Sequence, residues 1–279
     1  MTATAPAESD AATETDPPEH TTRRRRATTT WLPPLAFCAL AIAGWELYVR
    51  SRGIADYVLP APSTVAVEAV HMAPELPRHV RATATAALWG LVVSVVSGVT
   101  IAMTMAAWPL ARRALYPVLV ASQTVPGIVV APILVVWLGF GMLPKVLVVV
   151  LVGFFPVAVA TFEGLAGADR ERMELIRGMG GGRRDVLRLV QLPEALPGAF
   201  AGIRIAATYA TVGAVIGEWM GTSEGLGLVM TRAQRAFRAD RVFVAIVAVA
   251  LLSLALFGLV ELASRLTMPW RRAERPRTR

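Results

Sequence analysis

The sequence predicts an all-α, polytopic membrane protein with about six transmembrane helices. Three observations carry this. Hydrophobic residues make up 55% of the 279 and charged residues only 17%, more apolar surface than a water-facing domain of this size can hide. The apolar residues gather in runs of about 20, the helical length that crosses a hydrocarbon core of about 30 Å. The basic residues stand at the ends of those runs, so a pI of about 10.8 fits anionic lipid headgroups and not a nucleic-acid face.

Residues 1–30 are rich in Ala, Thr, Pro and acids and close on Arg23–Arg26, the composition of a disordered tail. A transmembrane domain is expected over 31–270, with a basic tail at 271–279. Its apolar runs lie at roughly 31–49, 84–107, 115–139, 144–162, 195–221 and 242–266. The first contains Pro33, Pro34 and Glu46. Preceded by four arginines, it also has the outline of a cleaved export signal, but no A-x-A-like site follows Val49, which favours a retained helix. Six spans put both termini on one side. That side would hold 18 of the 28 cations and the other side nine, with Arg204 inside a span, so the richer side is expected to be cytoplasmic.

Small residues recur every fourth position in two runs: Gly90, Ser94, Gly98, Ala102 and Ala106, then Gly198, Gly202, Ala206 and Ala210, with a second stripe at Gly213, Gly217 and Gly221. Faces stripped of bulk let helix backbones approach closely in lipid. Whether the partner lies in the same chain or in a second copy is open at this point.

The longest cytoplasmic connection, 169–193, has the pattern of two short amphipathic helices. Asp169 and Glu171 suit a helix N-terminus. Met173, Ile176 and Met179 follow at helical spacing. Four glycines within Gly178–Gly182 stop that helix, Val186, Leu187, Leu189 and Val190 begin another apolar face, and Pro193 and Pro197 are expected to break the chain. Such a unit either lies on the membrane surface or docks into a groove on another protein.

Glu174, Gly180 six residues later and Leu192-Pro193 closely resemble the EAA loop of binding-protein-dependent ABC importer permeases, and the likeness extends over about 55–270. Leu175 and Ile176 stand where that loop carries two alanines. The resemblance implies a coupling-helix loop between spans four and five that inserts into an ATPase subunit, with Glu174, Gly180, Asp185, Leu192 and Pro193 as its coupling residues. It implies a second permease copy in a homodimer and an extracytoplasmic solute-binding protein. It also implies residence in a bacterial inner membrane, with ATP and Mg held by the ATPase and no cofactor or catalytic residue on this chain. Tyr57-Val-Leu-Pro-Ala-Pro62 is similar to the branch that imports nitrate, sulfonates, taurine and thiamine pyrimidine precursors. Ser122-Gln-Thr-Val-Pro126 with Ala131-Pro132, and Ala206-Ala-Thr-Tyr209 with Gly217-Glu-Trp219, look closest to the pyrimidine-precursor members.

The missing motifs agree. Lys145 is the sole lysine and is followed by Val, so a G-x-x-x-x-G-K-[ST] phosphate loop is impossible. Cys38 is a lone cysteine, and His20, His71 and His79 fall outside the long apolar runs, where surface positions are expected; no metal-ligand spacing occurs. Glu46, Arg204, Glu218 and Glu261 are the ionisable groups within spans; such groups are functional candidates by default, and snorkelling toward a membrane face explains the last three at least as well. Ser122, Gln123 and Thr124, with Thr208, Tyr209 and Thr211, are the polar candidates for lining a pathway, the alternative being hydroxyls bonded to their own backbone. A carrier driven by an ion gradient and a non-transporting scaffold are the rival classes.

Overall fold

The computed structural model describes residues 32–272, and the expected tails at 1–30 and beyond 272 lie outside it. Every regular element among the described residues is helical. Helix α1 (Leu32–Arg52) belongs to the first of two units. Pro33 and Pro34 fall in its first turn, where a missing N–H costs no hydrogen bond. Its Glu46 carboxylate pairs with Arg50 one turn on.

The second unit begins at Gly53. Its helices are α2 (Pro62–His71), α3 (Leu76–Ala107), α4 (Pro109–Ser122), α5 (Gly127–Leu138), α6 (Met142–Ala166), α7 (Arg170–Gly178), α8 (Arg183–Val186), α9 (Leu192–Trp219), α10 (Leu226–Arg235) and α11 (Ala239–Thr267). Four stretches are long and apolar enough to cross a membrane: α3, α6, the continuous Arg183–Trp219 and α11. The pair α4 and α5, bent by 96°, makes a fifth if taken as one span. Up to five such spans are thus found among the described residues; the expected first run, 31–49, forms α1 and is not among them, and the run at 115–139 is broken. Thr124-Val-Pro126-Gly127 ends α4 and restarts the chain as α5, because proline lacks the N–H that would continue the ladder.

Helix α6 is the centre of this unit, packed most extensively on α9 and α3. The two small-residue stripes face it within one chain. A Cβ at Gly90 would stand 2.3 Å from Val149 Cβ, one at Gly98 2.8 Å from the Phe154 carbonyl, and one at Gly202 2.4 Å from the Pro156 carbonyl. Gly198, Gly213 and Gly217 bring α9 just as close to Ala160, Val149 and Lys145. Ser94, fully buried between them, gives its hydroxyl to the Gly90 carbonyl at 2.7 Å. Around this contact lie Ala86, Ala87 and Leu91 of α3, Val157 of α6, Ala206, Ala207, Ala210 and Ala214 of α9, and Leu256 and Val260 of α11.

Only the first of the two expected loop helices is separate. The second, Arg183–Val186, continues through a π turn at Leu187–Gln191 into α9, so Pro193 and Pro197 do not break the chain. Neither proline has an N–H to give. Leu192 instead bonds the Leu187 carbonyl, and this wider turn carries the helix past the first proline.

Candidate functional site

At the end of the bundle where α3 and α6 stop and α9 begins, 169–193 forms one connected piece. Asp169 caps α7, its Oδ1 accepting the Glu171 N–H at 2.9 Å. Glu194, in the first turn of α9, accepts the Asp169 N–H at 2.8 Å and Arg172 Nη1 at 3.1 Å. The chain reverses at Gly180, whose φ of 88° favours glycine. Asp185 then accepts the Gly182 N–H at 2.8 Å. The Arg183 guanidinium donates to the carbonyl of Ala107, the last residue of α3. Helix α3 leaves such carbonyls unpaired at its end, and a cation is suited to them. The loop is thereby fastened to α9 through Glu194 and to α3 through Arg183. Glu174, Gly180 and Asp185 lie on its exposed surface, while Leu192 and Pro193 open α9. Leu175 and Met179 are 64% and 76% exposed, so an apolar edge faces away from the bundle.

A second feature lies midway along α9. Ile205, Thr208, Tyr209 and Val212 form an exposed stripe, while Thr211 is fully buried on the packed face with Ala207, Ala210 and Ala214. Thr208 bonds the Arg204 carbonyl at 3.0 Å. Ser122 and Thr124 likewise bond backbone carbonyls at the end of α4, and Gln123 donates to Ser122 Oγ at 3.2 Å. A 480 Å³ recess is lined by Pro126, Gly127 and Ile128, by Val212, Val215, Ile216 and Trp219, and by Met230, Ile246 and Val249; the six pathway candidates are not among its lining residues. None of these lining residues is charged. Arg204 and Glu261 do not reach a membrane face alone: they pair at 2.7 Å, joining α9 to α11, and Glu261 also accepts from Arg265 at 2.8 Å.

The opposite end holds a polar cluster that corrects two expectations. Glu218 is 1% exposed, not snorkelling, and accepts Thr83 Oγ1 at 2.9 Å and the Gly227 N–H at 2.8 Å. Thr83 Oγ1 in turn accepts the Leu226 N–H at 2.9 Å. His79 is 4% exposed, not on the surface, and its Nδ1 accepts the Gly225 N–H at 3.1 Å. Lys145 donates to Thr222 Oγ1 at 2.6 Å. These bonds fix the turn after α9 against α3 and α6. One sequence signal could have found the site: Gly225 and Gly227 clear room around Glu218, and a Cβ on Gly225 would come within 2.2 Å of its carboxyl carbon.

Beyond that turn α10 ends unusually. The Arg238 N–H bonds the Ala233 carbonyl at 2.9 Å and the Phe237 N–H bonds the Gln234 carbonyl at 3.1 Å, the paired bonds of a Schellman turn. The left-handed position, where glycine is usual, is taken by Phe237 with φ 54°. That conformation costs a side-chain-bearing residue about 1–2 kcal/mol. Just after it, Glu68 of α2 accepts from Arg241 at 2.7 Å and Arg238 at 3.0 Å. Asp240, hydrogen-bonded to Arg238, pushes that guanidinium's pKa up.

These arrangements can be set beside known proteins. Residues 94–268 match the family described as binding-protein-dependent transport system inner membrane component. The formylaminopyrimidine transport permease protein ThiX of Halalkalibacterium halodurans is 35% identical over 244 residues, covering 87% of this chain and 97% of the relative. The riboflavin transport system permease protein RibX of Chloroflexus aurantiacus is also 35% identical, over 233 residues, 83% of this chain and 87% of the relative. The solved structure of an amino acid ABC transporter with histidines shares the fold at a TM-score of 0.57 and 14% identity, covering 70% of this chain and 97% of that one. Fold, family match and relatives agree: this chain belongs to the binding-protein-dependent transport system inner membrane components, the permease subunits of ABC importers.

Proposed function

We propose that this permease moves a small, uncharged, flat heterocycle, a thiamine pyrimidine precursor such as hydroxymethylpyrimidine, delivered by a solute-binding protein and driven by ATP hydrolysis on a separate chain. The observation that carries the choice of solute is the recess beside the break between α4 and α5. Its lining offers apolar side chains and the Trp219 ring and no cation, and Thr208 and Tyr209 stand on the exposed face of the same helix as Trp219. A sulfonate, taurine or nitrate passing there would lose water without gaining a countercharge, and desolvating an unpaired anion is costly. A neutral ring can stack on Trp219 or Tyr209 and exchange hydrogen bonds with Gln123 and Thr208. The likeness to a formylaminopyrimidine permease supports the same solute. Riboflavin, named for a relative of equal identity, is the second reading, since it too is a flat heterocycle.

The mechanism follows from how 169–193 is fastened. Two copies form the pore, and on each the exposed edge of α7, with Glu174, Leu175 and Met179, seats in a groove of an ATPase subunit, both termini lying on that cytoplasmic side. ATP binding draws the ATPase pair together and displaces the loops. Glu194 and Arg183 pass the displacement to α9 and α3, which pack on α6 and on each other. The bundle then exchanges an inward-open for an outward-open packing, the solute enters, and hydrolysis returns it.

Uptake of labelled hydroxymethylpyrimidine by cells expressing the permease with its ATPase and binding protein tests the solute. Competition by excess unlabelled pyrimidine, and none by taurine or nitrate, is expected. Uptake of taurine or nitrate in its place overturns the assignment, and riboflavin uptake selects the second reading.

A further inference from the structure

Helix α10 spends its apolar side inward: Leu226, Gly227, Val229 and Ala233 are buried, and Val229 joins an apolar cluster with Val65, Met72, Val244 and Ala245. Arg232, Gln234 and Arg235 remain on the exposed side. Neither Arg232 nor Arg235 makes an ion pair or hydrogen bond among the described residues, although Arg238 and Arg241, a few residues on, are both held by Glu68. Phe237 sits at the tip, 77% exposed, in the left-handed conformation that glycine would adopt without strain. Among the described residues, no packing compensates for that choice. A strained, solvent-facing aromatic beside uncompensated arginines is the composition of an interface anchor, since buried aromatics and arginines dominate binding energy between proteins.

We infer that Phe237, flanked by Arg232 and Arg235, is the anchor on which an acidic face of the solute-binding protein docks. The inference rests on the importer reading above, which places this end of the bundle outside the cell. Uncompensated positive charge selects a partner surface rich in Asp and Glu and steers its approach. Phe237 supplies the desolvated centre that such a rim needs. A lipid anchor is disfavoured by the same geometry. A helix lying in a bilayer surface turns its apolar face to the lipid, and α10 has turned that face into the protein.

The test replaces Phe237 with the photoreactive benzoylphenylalanine in the complete transporter, permease with ATPase and binding protein, and irradiates intact cells. An adduct with the solute-binding protein, mapping to a peptide that carries Asp or Glu, is expected. Alongside it, the affinity of the labelled binding protein is measured for complexes carrying Phe237→Gly or Arg232→Glu with Arg235→Glu. Glycine keeps the Schellman turn, so Phe237→Gly should melt no lower than the parent yet bind the partner roughly tenfold or more weakly. The double charge reversal should also weaken binding and abolish its weakening by salt. An adduct with lipid or with a second permease copy overturns the docking assignment, as does unchanged affinity of the glycine variant. Failure of the parent complex to bind any solute-binding protein overturns the importer reading, and the anchor falls with it.

Discussion

Glu218 is the residue whose replacement should cost this fold most. It stands at the end of a membrane-crossing helix, yet its carboxylate is enclosed and accepts from a hydroxyl on α3 and a backbone N–H on α10. Removing an acceptor leaves buried donors unpaired, at about 1–3 kcal/mol each. Glu218→Ala strands the Gly227 N–H and leaves the Thr83 hydroxyl only the His79 carbonyl, at 3.2 Å, to donate to. Glu218→Gln keeps one accepting oxygen. The expected order of melting temperature for the protein purified in detergent is parent, then Gln, then Ala, with the largest drop at the last step. Equal melting of parent and Ala would show that the cluster does not hold the turn. Gly225→Ala should resemble the alanine variant by a different route, since its Cβ would displace the carboxyl group and its φ of 138° is strained for any side chain.

At the scale of elements, the loop's two fastenings invite separation. Arg183→Ala frees the loop from the end of α3, and Glu194→Ala frees it from α9, while Glu174, Leu175 and Met179 keep their surface positions. ATPase co-purification should therefore persist in both variants while uptake falls. Single contributions to coupling of about 0.5–2 kcal/mol correspond to roughly two- to thirtyfold. Glu174→Arg should instead lose ATPase co-purification. Uptake at the parent level in Arg183→Ala and Glu194→Ala would show that displacement is not carried through them. Much of this element was legible in the sequence, because it is local: Asp169 announces its cap and Gly178–Gly182 its turn within a few residues. What could not be read depends on distant partners. Nothing near Glu218 in sequence reveals Thr83, 135 positions away, and His79 looks like a surface histidine until the 225–227 backbone arrives beside it. The prolines misled in both directions. Pro126 followed by Gly127 does break its run, whereas Pro193 does not, because a π turn supplies the lost geometry. The small-residue stripes were visible as a period, but only the folded chain shows that both meet α6.

For the whole molecule, the proposed dependence on an ATPase has a direct consequence. Proteoliposomes containing this chain alone should move no solute under an imposed proton or sodium gradient, and transport should appear only when ATPase, binding protein and ATP are added. Gradient-driven uptake by the chain alone would make it a secondary carrier. The same architecture bears on how the protein enters the bilayer during synthesis. At a rise of 1.5 Å per residue, α4 and α5 measure about 21 and 18 Å, each well short of a hydrocarbon core of about 30 Å. Neither can be threaded into lipid as an independent span, and the bend between them leaves backbone groups that hydrocarbon cannot satisfy. The pair must therefore wait at the insertion machinery until α6 emerges to cover it, making the first half of this bundle assemble as one delayed unit instead of helix by helix.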